Sequence, residues 1–90
     1  MDRFKEKIVF LTGAATGIGE ATAKRMASEG ASLYLVDVAK NELGETAEAC
    51  RQFGGEIVDR ICDVAKEEDV SSSIAETISL FGKIDIVANI

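Results

Sequence analysis

The glycine-rich segment at positions 12–19 carries the strongest chemical signal in the sequence. It runs Thr-Gly-Ala-Ala-Thr-Gly-Ile-Gly and stands between a short apolar run and a helix-length segment. A chain that turns sharply from a strand into a helix presents unpaired backbone N–H groups at the positive end of the helix dipole. Such a turn is an anion site that suits a pyrophosphate. We therefore expect the turn to bind a nucleotide through Gly13, Thr16, Gly17 and Ile18.

Each glycine of this turn has its own expected role. Gly13 allows the tight turn, Gly17 lets phosphates approach the backbone, and Gly19 lets the helix lie close to the sheet. The alternative is a glycine-rich connection that binds nothing, because isolated motif matches carry a false-positive risk. The position between a buried strand and a helix favours binding. The spacing differs from G-x-G-x-x-G, and the G-K-[ST] of a P-loop is absent from the sequence.

Asp37 is the second residue with a chemical role. It follows the apolar run at 33–36 and lies 18 residues after Gly19. An acidic residue about 20 residues beyond such glycines accepts hydrogen bonds from the ribose of a dinucleotide. Its charge would repel the 2′-phosphate of NADP, and neither Thr16 nor Val38, where a cation would favour NADP, is basic. The sequence therefore predicts NAD as cofactor, with a solvated aspartate at a strand end as the alternative.

Four strands and three helices must position these residues. Residues 8–11, 33–36, 56–62 and 84–89 have the apolar character of strands. The segments between them place apolar residues on single helical stripes, namely Gly19, Thr22, Ala23, Met26 and Ala27, then Leu43, Ala47 and Cys50, then Val70, Ile74, Thr77, Ile78 and Phe81. Asp59 and Arg60 mark the third strand as an edge. Right-handed crossovers then predict an α/β fold, a Rossmann-like parallel sheet of order 3-2-1-4 with three helices.

Composition restricts the classes of partner. The net charge is −6, with 16 acidic and 10 basic residues, which disfavours nucleic acid and anionic membrane surfaces. Histidine is absent from the sequence, so we expect no metal site. Cys50 and Cys62 form neither a CxxC pair nor a disulfide framework. Reduced thiols, a charged amino terminus and the lack of a long apolar run predict a cytoplasmic protein.

These motifs together resemble the short-chain dehydrogenase/reductase family. Thr12-Gly13-x-x-x-Gly17-x-Gly19 matches the family's cofactor motif, and Asp37 matches its NAD-selecting acid. Asp63 and Val64 are similar to an Asp-Val segment. The resemblance implies that the Asp63 carboxylate accepts a hydrogen bond from the adenine amino group and that the Val64 N–H meets a ring nitrogen.

The resemblance extends to the last residues but departs from the family pattern there. Residues 81–89 are similar to the stretch that leads into the family's N-N-A-G motif, which adds Asn89 to the expected cofactor contacts. Ile90 stands where the second Asn is expected. The family's catalytic Ser and Tyr-x-x-x-Lys lie further downstream and are not among these 90 residues. Tyr34, the only tyrosine, lies in an apolar strand and is expected to be a core residue.

The resemblance implies hydride transfer between a nicotinamide and an alcohol or carbonyl in a complete relative. The 90 residues themselves are interpreted as one truncated dinucleotide-binding domain, residues 1–90, without catalytic residues. Three hypotheses stay open at this point. The chain is part of an NAD-dependent oxidoreductase that retains cofactor affinity, a non-catalytic half-domain that self-associates, or a short protein that binds another adenosine-containing ligand. An exposed last strand would favour a homodimer or larger assembly.

Overall fold

The computed structural model describes residues 3–90, in which strands and helices alternate along the chain. The elements are β1 (Ile8–Thr12), α1 (Gly17–Ser28), β2 (Ser32–Asp37), α2 (Lys40–Arg51), β3 (Ile57–Ile61), α3 (Glu67–Phe81) and β4 (Ile86–Asn89). All strand pairs are parallel and the sheet order is β3-β2-β1-β4. The predicted fold class, strand order and number of helices are therefore confirmed.

β4 begins two residues later than the apolar pattern predicts. The Asp85 N–H donates to the Ile8 carbonyl at 2.9 Å, and the Ile8 N–H donates to Asp85 Oδ2 at 2.8 Å. A side chain thus takes the place of a backbone acceptor where the two strands meet, and regular pairing starts at Ile86. β3 is also shorter than the predicted range 56–62, since the Glu56 N–H donates to the side chain of Ser32 instead of a ladder carbonyl.

The two faces of the sheet carry different cores. α1 and α2 cover one face, where the buried residues include Val9, Leu11, Leu33, Leu35, Ala23, Ala27, Leu43 and Ala47. α3 covers the other face, where Phe10 and Tyr34 stack with ring centroids 5.6 Å apart. Successive residues of a strand point to opposite faces, so β1 and β2 each contribute to both cores. Tyr34 is 1% exposed, which confirms it as a core residue.

The inner side of α3 differs from the predicted stripe at one position. Ser73 and Thr77 are buried against the sheet, whereas Ile78 is 49% exposed. Small side chains at the contact allow the helix to lie close to the strands, and Ile78 is about 100° further round the helix than Thr77. The prediction that Ile78 packs inward was therefore wrong.

Residues 3–90 contain neither a membrane-spanning helix nor a cluster of metal ligands. No helix there is long and apolar enough to cross a membrane. No group of three or more Cys, Asp or Glu side chains in that range is arranged to hold a metal ion.

Candidate functional site

A cleft of about 160 Å³ opens at the carboxyl ends of β1, β2 and β3. Its walls are formed by Thr12, Gly13, Asp37, Val38, Cys62, Asp63, Val64 and Ile90. Ligands of parallel α/β sheets bind at this end of the strands. The fold thus brings together four of the residues that were predicted from the sequence to contact a cofactor, namely Gly13, Asp37, Asp63 and Val64.

The glycines of the turn are required by its geometry. Gly13 has φ +65°, a left-handed conformation that favours glycine. A Cβ on Gly19 would lie 1.7 Å from the Gly13 carbonyl oxygen, so the start of α1 is packed directly on the turn. We expected Gly19 to let the helix lie close to the sheet, but the nearest atoms are those of Gly13 and Ala14 in the turn. The atom that Gly19 accommodates belongs to the turn itself.

The N-terminus of α1 leaves its backbone donors open. Thr16 occupies the N-cap, a position where threonine usually accepts a hydrogen bond, but its side chain makes no capping bond to any residue in 3–90. Thr16, Gly17 and Ile18 are all exposed, and a Cβ on Gly17 would meet no heavy atom of the described chain within 4 Å. These three residues belong to the same turn as Gly13 but lie outside the cleft lining. The arrangement fits a ligand phosphate, which would satisfy the open N–H groups.

The Asp37 carboxylate is held by the backbone around it. Oδ2 accepts a hydrogen bond from the Ala15 N–H at 3.0 Å, and Oδ1 accepts from the N–H groups of Val38 and Ala39 at 2.7 and 3.1 Å. A carboxylate offers about four acceptor positions, so about one is left for a ribose hydroxyl. The bonds to Val38 and Ala39 form an Asx turn, which an aspartate at a strand end can indicate. The bond to Ala15 had no signal in the sequence.

Asp63 and Val64 lie in the loop between β3 and α3, whose shape is set by local hydrogen bonds. Asp63 Oδ1 accepts from the Ala65 N–H at 3.0 Å, and the Asp63 N–H donates to Asp69 Oδ2 at 3.1 Å. The Val64 side chain is 55% exposed at the cleft. An exposed apolar side chain beside a carboxylate suits a flat base that carries amino groups.

Asn89 does not line the cleft, although it was predicted to contact the cofactor. Its Oδ1 accepts a hydrogen bond from Thr12 Oγ1 at 2.7 Å, and the residue lines an adjoining groove of about 230 Å³ next to α3, which shares Thr12 and Val64 with the cleft. Ile90 occupies the cleft instead, and its N–H donates to Thr12 Oγ1 at 3.2 Å. The reason is the alternation of side chains along an extended chain, which places neighbouring residues on opposite sides.

Two residues that support the site were not predicted from the sequence. The Asp69 carboxylate holds the loop that carries Asp63, and the Thr46 hydroxyl of α2 lies 3.2 Å from the Ala15 carbonyl oxygen in the glycine turn. Both contacts depend on how a helix is placed against a loop. For Thr46, the 31-residue separation from Ala15 left no local pattern that could have indicated the contact.

Known proteins are similar to this chain in sequence. The family model for short chain dehydrogenase matches residues 7–90. The short-chain reductase protein NovJ of Streptomyces niveus is 38% identical over 85 residues, which cover 94% of this chain and 32% of that protein. An uncharacterized oxidoreductase of Bacillus subtilis, YxbG, is 39% identical over 89 residues, which cover 99% of this chain and 33% of that protein. This chain therefore spans about a third of the length of these relatives.

Solved structures have the same fold as this chain. The crystal structure of NAD⁺-bound xylitol dehydrogenase superposes with a TM-score of 0.91 at 36% identity, covering 94% of this chain and 33% of that one. Levodione reductase superposes with a TM-score of 0.89 at 37% identity, covering 94% of this chain and 34% of that one. Because the family model matches residues 7–90, nearly the whole sequence, the chain belongs to the short-chain dehydrogenase family of oxidoreductases.

Proposed function

We propose that residues 1–90 form one dinucleotide-binding domain, which supplies the adenosine and phosphate contacts of an NAD-dependent oxidoreductase. The observation that carries this proposal is the single cleft where Gly13, Asp37, Asp63 and Val64 meet, although they come from three different strand ends. The NAD⁺-bound state of the related xylitol dehydrogenase structure supports the choice of nucleotide.

The phosphates and the adenosine half of the dinucleotide each have a matching group in the chain. The open N–H groups at Gly17 and Ile18 suit the phosphates, the remaining acceptor position of Asp37 suits a ribose hydroxyl, and Asp63 with Val64 suits the adenine. We expect the Asp37 charge to repel the 2′-phosphate of NADP, which favours NAD. The Asn89 side chain oxygen is bonded to Thr12, so a contact of Asn89 with the cofactor, which stays a prediction, would use its amide N–H groups.

The bound nicotinamide would supply hydride transfer to a carbonyl or from an alcohol. These 90 residues contribute binding and orientation to such a reaction. Tyr34 does not serve as an acid or base here, since it is buried and its hydroxyl donates to the Glu76 carboxylate. We therefore expect cofactor affinity without turnover from this chain alone. The cytoplasmic location predicted from the sequence stays a prediction.

The test is a calorimetric titration of the chain with NAD and with NADP, repeated on Asp37→Asn. We expect the unchanged chain to prefer NAD, and the variant to reduce that preference by about tenfold, since a charge close to the 2′-phosphate is lost. Asp85→Asn is the matched control. Asp85 also accepts a backbone hydrogen bond, from Ile8, but lies at the opposite end of the sheet.

The ratio of the two affinities is the decisive readout, because Asp37 also holds Ala15 and its loss would weaken both nucleotides. An unchanged ratio in Asp37→Asn would refute the role of Asp37 in selectivity. Equal affinity of the unchanged chain for ADP, NAD and NADP would favour a general adenosine-nucleotide site. No binding of any of them would refute the proposed function.

We also propose that a polypeptide of these 90 residues self-associates through β4. In the described chain β4 pairs with β1 on one edge and with no strand on the other. The opposite edge strand, β3, carries Asp59 and Arg60, which form ion pairs with Arg51 and Glu76. β4 lacks charged residues and exposes 62% of Val87. Uncharged, apolar edges are the ones that pair with further strands.

Sedimentation velocity at micromolar concentration tests this assembly. We expect a dimer or larger species for the unchanged chain and a shift toward monomer for Val87→Lys. The matched control is Ile61→Lys on β3, where the side chain is similarly exposed at 54%. A monomeric unchanged chain, or equal shifts from both variants, would contradict assembly through β4.

A further inference from the structure

Both backbone polar groups of Ala15, in the middle of the glycine turn, are bonded to side chains from other elements. Its N–H donates to Asp37 Oδ2 at 3.0 Å, and its carbonyl accepts from Thr46 Oγ1 at 3.2 Å. Ala15 and Thr46 are 3% and 1% exposed, so water does not compete for these bonds. The two peptide units on either side of the Ala15 Cα, next to the phosphate-binding positions, are therefore held by Asp37 of β2 and Thr46 of α2.

The Thr46 hydroxyl has two acceptors within reach. Besides the Ala15 carbonyl it lies 3.2 Å from the Glu42 carbonyl, one turn earlier in its own helix. A hydroxyl has a single proton, so the two acceptors share it. Thr77 in α3 is equally buried, but its hydroxyl donates only within its own helix, to the Ser73 carbonyl at 2.7 Å. The contact with Ala15 is thus the feature that sets Thr46 apart.

We propose that Thr46 is a positioning residue for phosphate binding, acting on the turn through Ala15. This inference rests on the proposed function. With Ala15 held from α2 and β2, the exposed residues Gly17 and Ile18 keep their positions before a ligand arrives. A site that is ordered in advance loses less entropy on binding. The effect concerns only ligands that carry phosphate, because Thr46 does not line the adenosine cleft.

The experiment compares ADP with adenosine as probes, by calorimetry, on the unchanged chain and three variants. Thr46→Val keeps the volume and removes the hydroxyl, Thr46→Ser keeps the hydroxyl, and Thr77→Val is the control. We expect Thr46→Val to weaken ADP by about threefold to tenfold, the equivalent of one ordinary hydrogen bond, with adenosine unchanged. Thr46→Ser and Thr77→Val should bind ADP like the unchanged chain.

Amide hydrogen exchange without ligand gives a second readout that does not depend on nucleotide binding. We expect faster exchange at residues 14–18 in Thr46→Val than in Thr77→Val. Slower or equal exchange would overturn the inference, as would an equal loss of ADP and adenosine affinity. A chain that binds neither probe would refute the proposed function, and the exchange data would still decide the role of Thr46.

Discussion

Thr12 Oγ1 donates a hydrogen bond of 2.7 Å to Asn89 Oδ1, across two residues that are also paired in the register of β1 and β4. The same oxygen accepts the Ile90 N–H at 3.2 Å. One hydroxyl thus closes the pairing of the two strands at the edge of the cleft. It directs Asn89 away from the cleft and holds Ile90 close to Gly13. A Cβ added to Gly13 would lie 3.3 Å from the Ile90 carbonyl oxygen.

We predict that Thr12→Val loosens the end of β4. The variant keeps the side-chain volume but leaves the Asn89 oxygen and the Ile90 N–H without this partner, at a cost of about 1–2 kcal/mol in the free energy of unfolding. Urea denaturation gives the cost, and amide exchange at residues 86–90 locates it. Thr16→Val is the control, because the Thr16 side chain makes no capping bond within the described chain. Equal effects of both variants would contradict the assignment.

Two glycine substitutions should change stability in opposite directions. Gly19→Ala places a Cβ 1.7 Å from the Gly13 oxygen, so the turn must move. We expect the free energy of unfolding to fall by about 3–5 kcal/mol, as it does for severe steric changes. Gly44 lies inside α2, where a Cβ would meet no heavy atom of residues 3–90 within 4 Å. Gly44→Ala should therefore stabilise the chain by about 0.5–1 kcal/mol. Thermal denaturation of both variants checks the signs, and a tolerated Gly19→Ala would refute the packing described.

Alkaline pH should destabilise the fold through Cys50. Burial raises the pKa of this thiol to about 11 from an ordinary value of 9.0, despite the opposing charges of Lys24 and Arg51. The unfolded chain therefore ionises first, so the contribution of the neutral thiol to stability is complete below pH 9 and is lost as pH rises toward 11. Urea midpoints measured across this range should fall less steeply in Cys50→Ala than in the unchanged chain. Parallel curves would contradict this source of pH dependence.

Tyr34 and Glu76 form a polar contact on the α3 face whose removal should be visible at low pH. The Tyr34 hydroxyl, with a further contribution from Arg60, holds the pKa of the Glu76 carboxyl below its ordinary value of 4.5. This stabilising contribution is present above pH 4.5 and is lost as pH falls through the pKa of the folded state. We expect Tyr34→Phe to raise the Glu76 pKa toward 4.5, as followed by carboxyl ¹³C shifts. An unchanged Glu76 titration would show that the hydrogen bond is not formed in solution.

The sequence alone was sufficient for the order of elements, the strand order 3-2-1-4 and the edge position of β3. The elements and the edge position of β3 follow from local information, since apolar runs, helical stripes and the charges at 59 and 60 report burial directly. The strand order follows from the right-handed crossovers that connect parallel strands. The strand limits were less accurate, because Asp85 and Ser32 use their side chains to complete the ladder at positions where apolar patterning has no influence.

Some features of the candidate site could likewise be predicted from the sequence, and others could not. The spacing of the glycines and Asp37, together with the resemblance of Asp63-Val64 to a family segment, indicated which residues reach the carboxyl end of the sheet. These residues lie at or just beyond the ends of strands. Only the tertiary structure decided that Asp37 and Thr46 hold Ala15 and that Ile90 rather than Asn89 enters the cleft. Such contacts join residues far apart in the chain, and their formation depends on the distance and rotation of packed elements, which sequence periodicity does not encode.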